Sequence, residues 1–354
     1  MSTAEINHLR NGTPTGGSGL SARQREAAES KLFYMKDVCC PDDFQALVDE
    51  ELRRAAYTPT VSSFEQSIRK MLGKLKLRWR SSGSIHAGLP QGKEELIHGL
   101  NTYVIGNRVN PRAIVVVYSD VFGLALPNNK LIADAYANSG DYLVYLPDFF
   151  EGDPVPLKLA DLLIPVDEKK LGTLTKYTGL LASAPSFVLW SMRHKKGPTE
   201  RLCMDFLGSL RRATPKSQKI GMVGMCWGGK YAIRASLESN AIEIDSAKMP
   251  LIDAAVALHP SNLVLPEDVE LPVVPVSIGW GVEDIAVSYA LKGKIEGIHA
   301  KAKEAGKRVP EIEHQSYTPG RHGFSVRGNP DDSQEKKILE DSMKQVLDWF
   351  KRWL

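Results

Sequence analysis

The sequence predicts an α/β fold: a mostly parallel central sheet with helices on both faces, preceded by an N-terminal helical extension. Three observations point to it. From about Ile85 onward, short β-branched runs alternate with stretches of helical periodicity, the pattern of parallel strands joined by crossover helices. The 354 residues suffice for one large domain or two ordinary ones. Apolar residues make up 43% and charged residues 25%, ordinary values for a globular chain, which exclude a disordered or collagen-like one.

Taken in chain order, residues 1–84 read as an extension and 85–354 as the main domain. Residues 10–22, RNGTPTGGSGLSA, carry no apolar periodicity and read as a flexible lead. Helical spacing begins over 44–52 and returns over 61–79, where Phe64, Ile68, Met71, Leu72, Leu75 and Trp79 fall within roughly 100° of a helical wheel. Arg69, Lys70, Lys74, Lys76, Arg78 and Arg80 flank that face. Contact with an anionic membrane surface through 61–80 is one reading; a helix packed on the main domain with solvated basic flanks is the favoured one.

In the main domain the expected strands are 103–105, 113–118, 142–146, 220–224, 254–258, 273–279 and 312–317. The expected helices are 128–138, 199–212, 227–238 and 287–305, with Ser333 capping a final helix whose apolar face carries Ile338, Leu339, Val346, Leu347 and Phe350.

Composition narrows the function. The formal net charge is only +3, from 45 basic and 42 acidic residues, which argues against nucleic acid as a partner. Residues 1–80 hold 13 Lys or Arg and 10 Asp or Glu, so the whole excess lies there. No segment reaches the roughly 18 apolar residues of a membrane span; the run from Ala113 to Leu126 is short and contains Asp120. Cys39, Cys40, Cys203 and Cys226 are too few for a disulfide framework and lack metal-ligand spacing, and His86 and His98 lack metal-spaced partners. No metal and no cofactor is expected. With no apolar core in the first thirty residues, a cytoplasmic protein is expected.

The chemistry concentrates after the fourth strand. Lys219 to Ala232 reads KIGMVGMCWGGKYA: an apolar strand, then Gly224-x-Cys226-x-Gly228, then an amphipathic helix. That is a nucleophile elbow with Cys in place of Ser. Glycines two before and two after let strand and helix approach closely, while the middle residue takes a strained conformation that lifts its side chain above the sheet. The thiol then sits at a helix N-terminus, where dipole and free amides favour a thiolate and a developing oxyanion.

A hydrolase of this design needs an acid and then a histidine on loops past later strands. Gly281-Val282-Glu283-Asp284 and Pro319-Gly320-Arg321-His322-Gly323-Phe324 supply them, with Asp284 and His322 as the candidates and Glu283 as the alternative acid. His259, in LHPSN after a strand end, approaches the pocket either as a substrate contact or as a hydrogen-bonded structural residue. Residues 149–198, rich in Leu and Pro and punctuated by Trp190, read as pocket wall, lid or ordinary packing.

SDVFG at 119–123, GMCWGG at 224–229, the acid at 284 and HGFSVRG at 322–328 together resemble the dienelactone hydrolase family, within the α/β-hydrolase superfamily. The resemblance covers about 85–354. It implies a Cys226, Asp284 and His322 triad, with an oxyanion hole from the backbone amides of Trp227 and Val121. It also puts Asp120 where bacterial members carry a glutamate that contacts the resting thiol, and Arg327 where the family binds a substrate carboxylate. Lys176, Arg193, Lys195 and Lys196 are regional candidates for the second carboxylate-binding cation. The expected function is cysteine-dependent hydrolysis of a small-molecule lactone or ester. A thioesterase or carboxylesterase, or a catalytically silent hydrolase fold used for binding, are the alternatives.

Overall fold

The computed structural model describes residues 88–160, 187–329 and 331–354. The expected extension, its helices over 44–52 and 61–79, and Lys176 lie outside the described residues.

Six parallel strands make up most of the eight-stranded sheet among the described residues, ordered β1 (Lys93–Ile97), β2 (Leu100–Gly106), β4, β3, β5, β8, β9, β10. They are β3 (Ile114–Tyr118), β5 (Ile220–Met225), β8 (Ala254–Leu258), β9 (Val276–Gly281) and β10 (Ile312–Tyr317), with β4 (Leu143–Pro147) parallel to β3 on its other side. Such strands are covered on both faces, and β3, β5, β8 and β9 are buried at every position. Alternation divides their side chains between two cores: Val115 and Val117 of β3 enter one, Ile114, Val116 and Tyr118 the other.

Among the described residues five α-helices cover these faces. α1 (Pro127–Gly140) and α5 (Ser333–Trp353) bury Ile132, Tyr136, Val346 and Phe350 in the first core. α2 (Lys196–Ala213), α3 (Trp227–Ala235) and α4 (Ala290–Glu304) bury Phe206, Tyr231 and Ile295 in the second. Among the described residues no helix is long and apolar enough to cross a membrane.

The differences from expectation are local. β1 (Lys93–Ile97), KEELI, pairs antiparallel with β2 (Leu100–Gly106) through a turn at His98 and Gly99, both at positive φ. Its charged, half-exposed sequence lacks a strand's composition, and only pairing at the sheet edge makes it one. β6 (Ile242–Ile244) and β7 (Ala247–Met249) form a second hairpin outside the main sheet, turning at Asp245 and Ser246, also at positive φ. The strand expected from Val273 starts at Val276, just after Pro275, which has no N–H for the ladder. Asp332, not Ser333, caps α5: its carboxylate accepts from the amides of Gln334 and Glu335.

Candidate active site

β5 runs into α3 with only Cys226 between them, and the turn is sharp because the backbones touch. A Cβ on Gly224 would lie 2.1 Å from the Gly228 carbonyl oxygen, and one on Gly228 would lie 2.2 Å from that of Tyr118. No other residue fits at either place. Cys226 itself has φ 53° and ψ −113°, a conformation costing a non-glycine residue on the order of 1–3 kcal/mol. Neighbouring backbone holds it there: its N–H is shared between the Leu258 carbonyl at 3.0 Å and His259 Nδ1 at 3.1 Å. Its carbonyl accepts from the amides of Gly229 at 3.1 Å and Ser261 at 3.0 Å.

The loops after β9 and β10 bring an acid and a base to the sulfur. His322 Nε2 lies 3.1 Å from Cys226 Sγ, and its Nδ1 lies 2.8 Å from Asp284 Oδ2. The other oxygen of Asp284 accepts from the amides of Ala286 and Val287, both at 2.9 Å, which fixes the carboxylate's orientation. Glu283 is exposed whereas Asp284 is buried, so Asp284 is the acid that meets the ring. Burial opposes a charged imidazole at His322, but the charge at Cys226 and the hydrogen bond to Asp284 outweigh it and raise its pKa to about 10.

Val121 and Trp227 flank the elbow, both half-buried. Among the described residues no acceptor meets either amide, and Trp227, in the first turn of α3, has no intrahelical partner for its N–H. The Trp227 ring packs 4.9 Å from Phe150, which in turn meets Trp190 at 5.4 Å. These described parts of 149–198 thus form a wall beside the elbow.

The residues expected to contact thiol or substrate lie deeper than their sequence positions suggest. Asp120 is fully buried and does not reach the sulfur; its Oδ1 accepts from the Phe122 amide at 3.0 Å and Asn129 Nδ2 at 2.9 Å. Burial raises its pKa, and the nearby Arg327 and His322 work against that rise. Arg327 is 6% exposed, as buried as Cys226 and His322, and its charge acts on Asp120. Arg193 pairs with Asp153, while Lys195 and Lys196 are exposed around the start of α2.

His259 is 1% exposed with both ring nitrogens engaged inside the protein, at Cys226 N–H and at Ser325 Oγ, 2.7 Å away. It has no polar atom left for a substrate. Sequence reasoning also passed over Ser261, whose Oγ lies 3.7 Å from Sγ. The adjacency of β5 and β8 puts it there, and no local motif signals that pairing.

A parallel sheet covered on both faces, with a sharp strand-to-helix turn over it and side chains from three later loops converging there, defines an α/β hydrolase. The chain belongs to the dienelactone hydrolase family, whose sequence profile matches residues 100–354, and is a hydrolase of ester or lactone bonds. Among curated proteins it is 29% identical to the hydrolase pyvD of Aspergillus violaceofuscus over 276 residues, 77% of this chain and 94% of that one. It is 24% identical to the hydrolase tropI of Talaromyces stipitatus, over 77% of this chain and 94% of that one. A carboxymethylenebutenolidase homolog from Homo sapiens is 25% identical, over 74% of this chain and 91% of its own.

Proposed function

We propose that the protein hydrolyses a small-molecule lactone or ester through an acyl-enzyme on Cys226, with His322 as acid and base and Asp284 as its orienting partner. The observation that carries this reading is the unbroken chain from Sγ to Nε2 at 3.1 Å and from Nδ1 to Asp284 at 2.8 Å. The Cys226 thiolate attacks the carbonyl carbon, and the oxygen takes up the displaced electron pair facing the amides of Val121 and Trp227. One such donor is worth roughly 3 kcal/mol in the transition state.

Collapse of the tetrahedral species breaks the C–O bond, and His322 gives its Nε2 proton to the leaving alkoxide. Water then attacks the thioester while Nε2 takes a proton from it. The acid leaves and the thiolate–imidazolium pair is restored. The free thiols of Cys203 and Cys226 suit a reducing cytoplasmic setting.

The deciding experiment quenches the enzyme in acid during turnover of an aryl ester and weighs the peptide bearing Cys226. An acyl adduct is expected there, and it should be absent in Cys226→Ala, which should fold normally and turn over none of a panel of lactones, aryl esters and acyl thioesters. Activity surviving in that variant would overturn the mechanism. Turnover confined to acyl thioesters would select the thioesterase reading, and no turnover by the wild type would select a binding protein.

A further inference from the structure

Most buried histidines only need their two nitrogens satisfied, and any core groups will serve. At His259 the two partners are the backbone amide of Cys226 and the hydroxyl of Ser325, three residues past His322 on the same loop. The ring therefore joins the strained residue to the loop that carries the proposed base. We infer that the turn 259–262 clamps Cys226 in its strained conformation and that His259 is a positioning residue for hydrolysis, an inference that rests on the proposed role of Cys226.

The clamp closes on Cys226 from both sides of its peptide. His259 Nδ1 takes the Cys226 N–H at 3.1 Å, and the Ser261 amide gives to the Cys226 carbonyl at 3.0 Å. Accepting at Nδ1 requires a neutral ring with its proton on Nε2, and that proton is the one Ser325 Oγ receives at 2.7 Å. Burial and the neighbouring charge on His322 both push the His259 pKa well below its ordinary value, which keeps the ring neutral. The His259 and His322 rings meet in a T-shaped contact with centroids 5.2 Å apart, so the clamp also bounds the space in which the base can turn.

The turn is itself anchored at both ends. The His259 N–H donates to the Gly279 carbonyl at 2.8 Å, tying it to β9. The Asn262 carbonyl accepts from Lys230 Nζ at 3.0 Å, and Lys230 also pairs with the buried Asp268 at 2.9 Å. Lys230 lies on α3, the helix that Cys226 opens, so helix, turn and nucleophile form one rigid loop of contacts. Two residues of the turn, His259 at φ 40° and Asn262 at φ 57°, are left-handed, and such strain persists only where surrounding contacts hold it.

If the ring is lost, Cys226 N–H still has the Leu258 carbonyl, so the fold should survive while the sulfur's position against Nε2 loosens. That separates the clamp from a purely structural role. The test compares full-length wild type with His259→Leu, His259→Asn and Ser325→Ala. It reads kcat and KM on an aryl ester, and the rate at which iodoacetamide alkylates Cys226, followed on its own peptide.

His259→Leu should lower kcat about tenfold, the worth of one hydrogen bond at a buried site, with KM within about twofold of wild type. Alkylation should slow in parallel. Asn can place an amide oxygen where Nδ1 stands, so His259→Asn should recover most of both rates, and Ser325→Ala should fall between them and wild type. Equal losses in the Leu and Asn variants, no loss in either, or a rise in KM at constant kcat would overturn the clamp. Alkylation needs no turnover, so it tests the clamp even if activity survives in Cys226→Ala and the proposed mechanism fails.

Discussion

His322 holds the most diagnostic charge in the molecule. Its pKa is raised to about 10 against the opposing effect of burial, and Cys226 contributes to that rise both by charge and by hydrogen bond. Removing the sulfur takes away both contributions and leaves burial against Asp284 alone, so His322 in Cys226→Ala should titrate at lower pH than in wild type. Ring chemical shifts followed by NMR would check this, and identical titrations would contradict the assigned pairing.

Arg327 is a second case where chemistry follows burial. With Arg327 at 6% exposure and its charge acting on the fully buried Asp120, Arg327→Ala removes a buried cation and its packing and should cost about 2 kcal/mol in chemical denaturation. Its kcat/KM for matched acidic and neutral esters should fall by the same factor. A loss confined to acidic esters would make Arg327 a substrate contact.

The strand-to-helix turn at Cys226 is the element that the sequence encodes most fully, since glycines at 224 and 228 are demanded by contacts within a few residues and one neighbouring strand. Gly228→Ala would push a Cβ against the Tyr118 backbone and should cost about 3 kcal/mol, read as a shifted denaturation midpoint, with hydrolysis lost as the elbow opens. Helix ends were less legible. Ser333 and Asp332 are both good caps by residue type, and only the observed backbone selects the aspartate. Asp332→Ala should therefore cost about 1 kcal/mol by thermal or chemical unfolding, while Ser333→Ala should stay within about 0.5 kcal/mol of wild type. Strand β1 was not legible at all, because a charged KEELI segment becomes a strand only when β2 offers it an edge.

At the scale of the whole molecule, the described strands of the main sheet and the described helices that cover it lie between Lys93 and Trp353, inside the compact unit that begins at Gly83. A chain starting at Gly83 should therefore unfold in one cooperative transition and keep kcat/KM within about threefold of full length, since the family's matched residues are all present. A loss beyond that would give residues 1–82 a part in hydrolysis. By itself the sequence determined the α/β class, the elbow and the order of acid and histidine after it, because each depends on periodicity or sterics among residues close in the chain. Only the tertiary structure decided that Asp284 rather than Glu283 meets the ring, that Arg327 is buried, and that His259 lies behind the nucleophile. Those outcomes depend on which strands become neighbours and how deep a side chain then sits, for partners such as Cys226 and His322 that stand 96 residues apart. Burial and long-range pairing belong to the assembled sheet, and no window of sequence contains them.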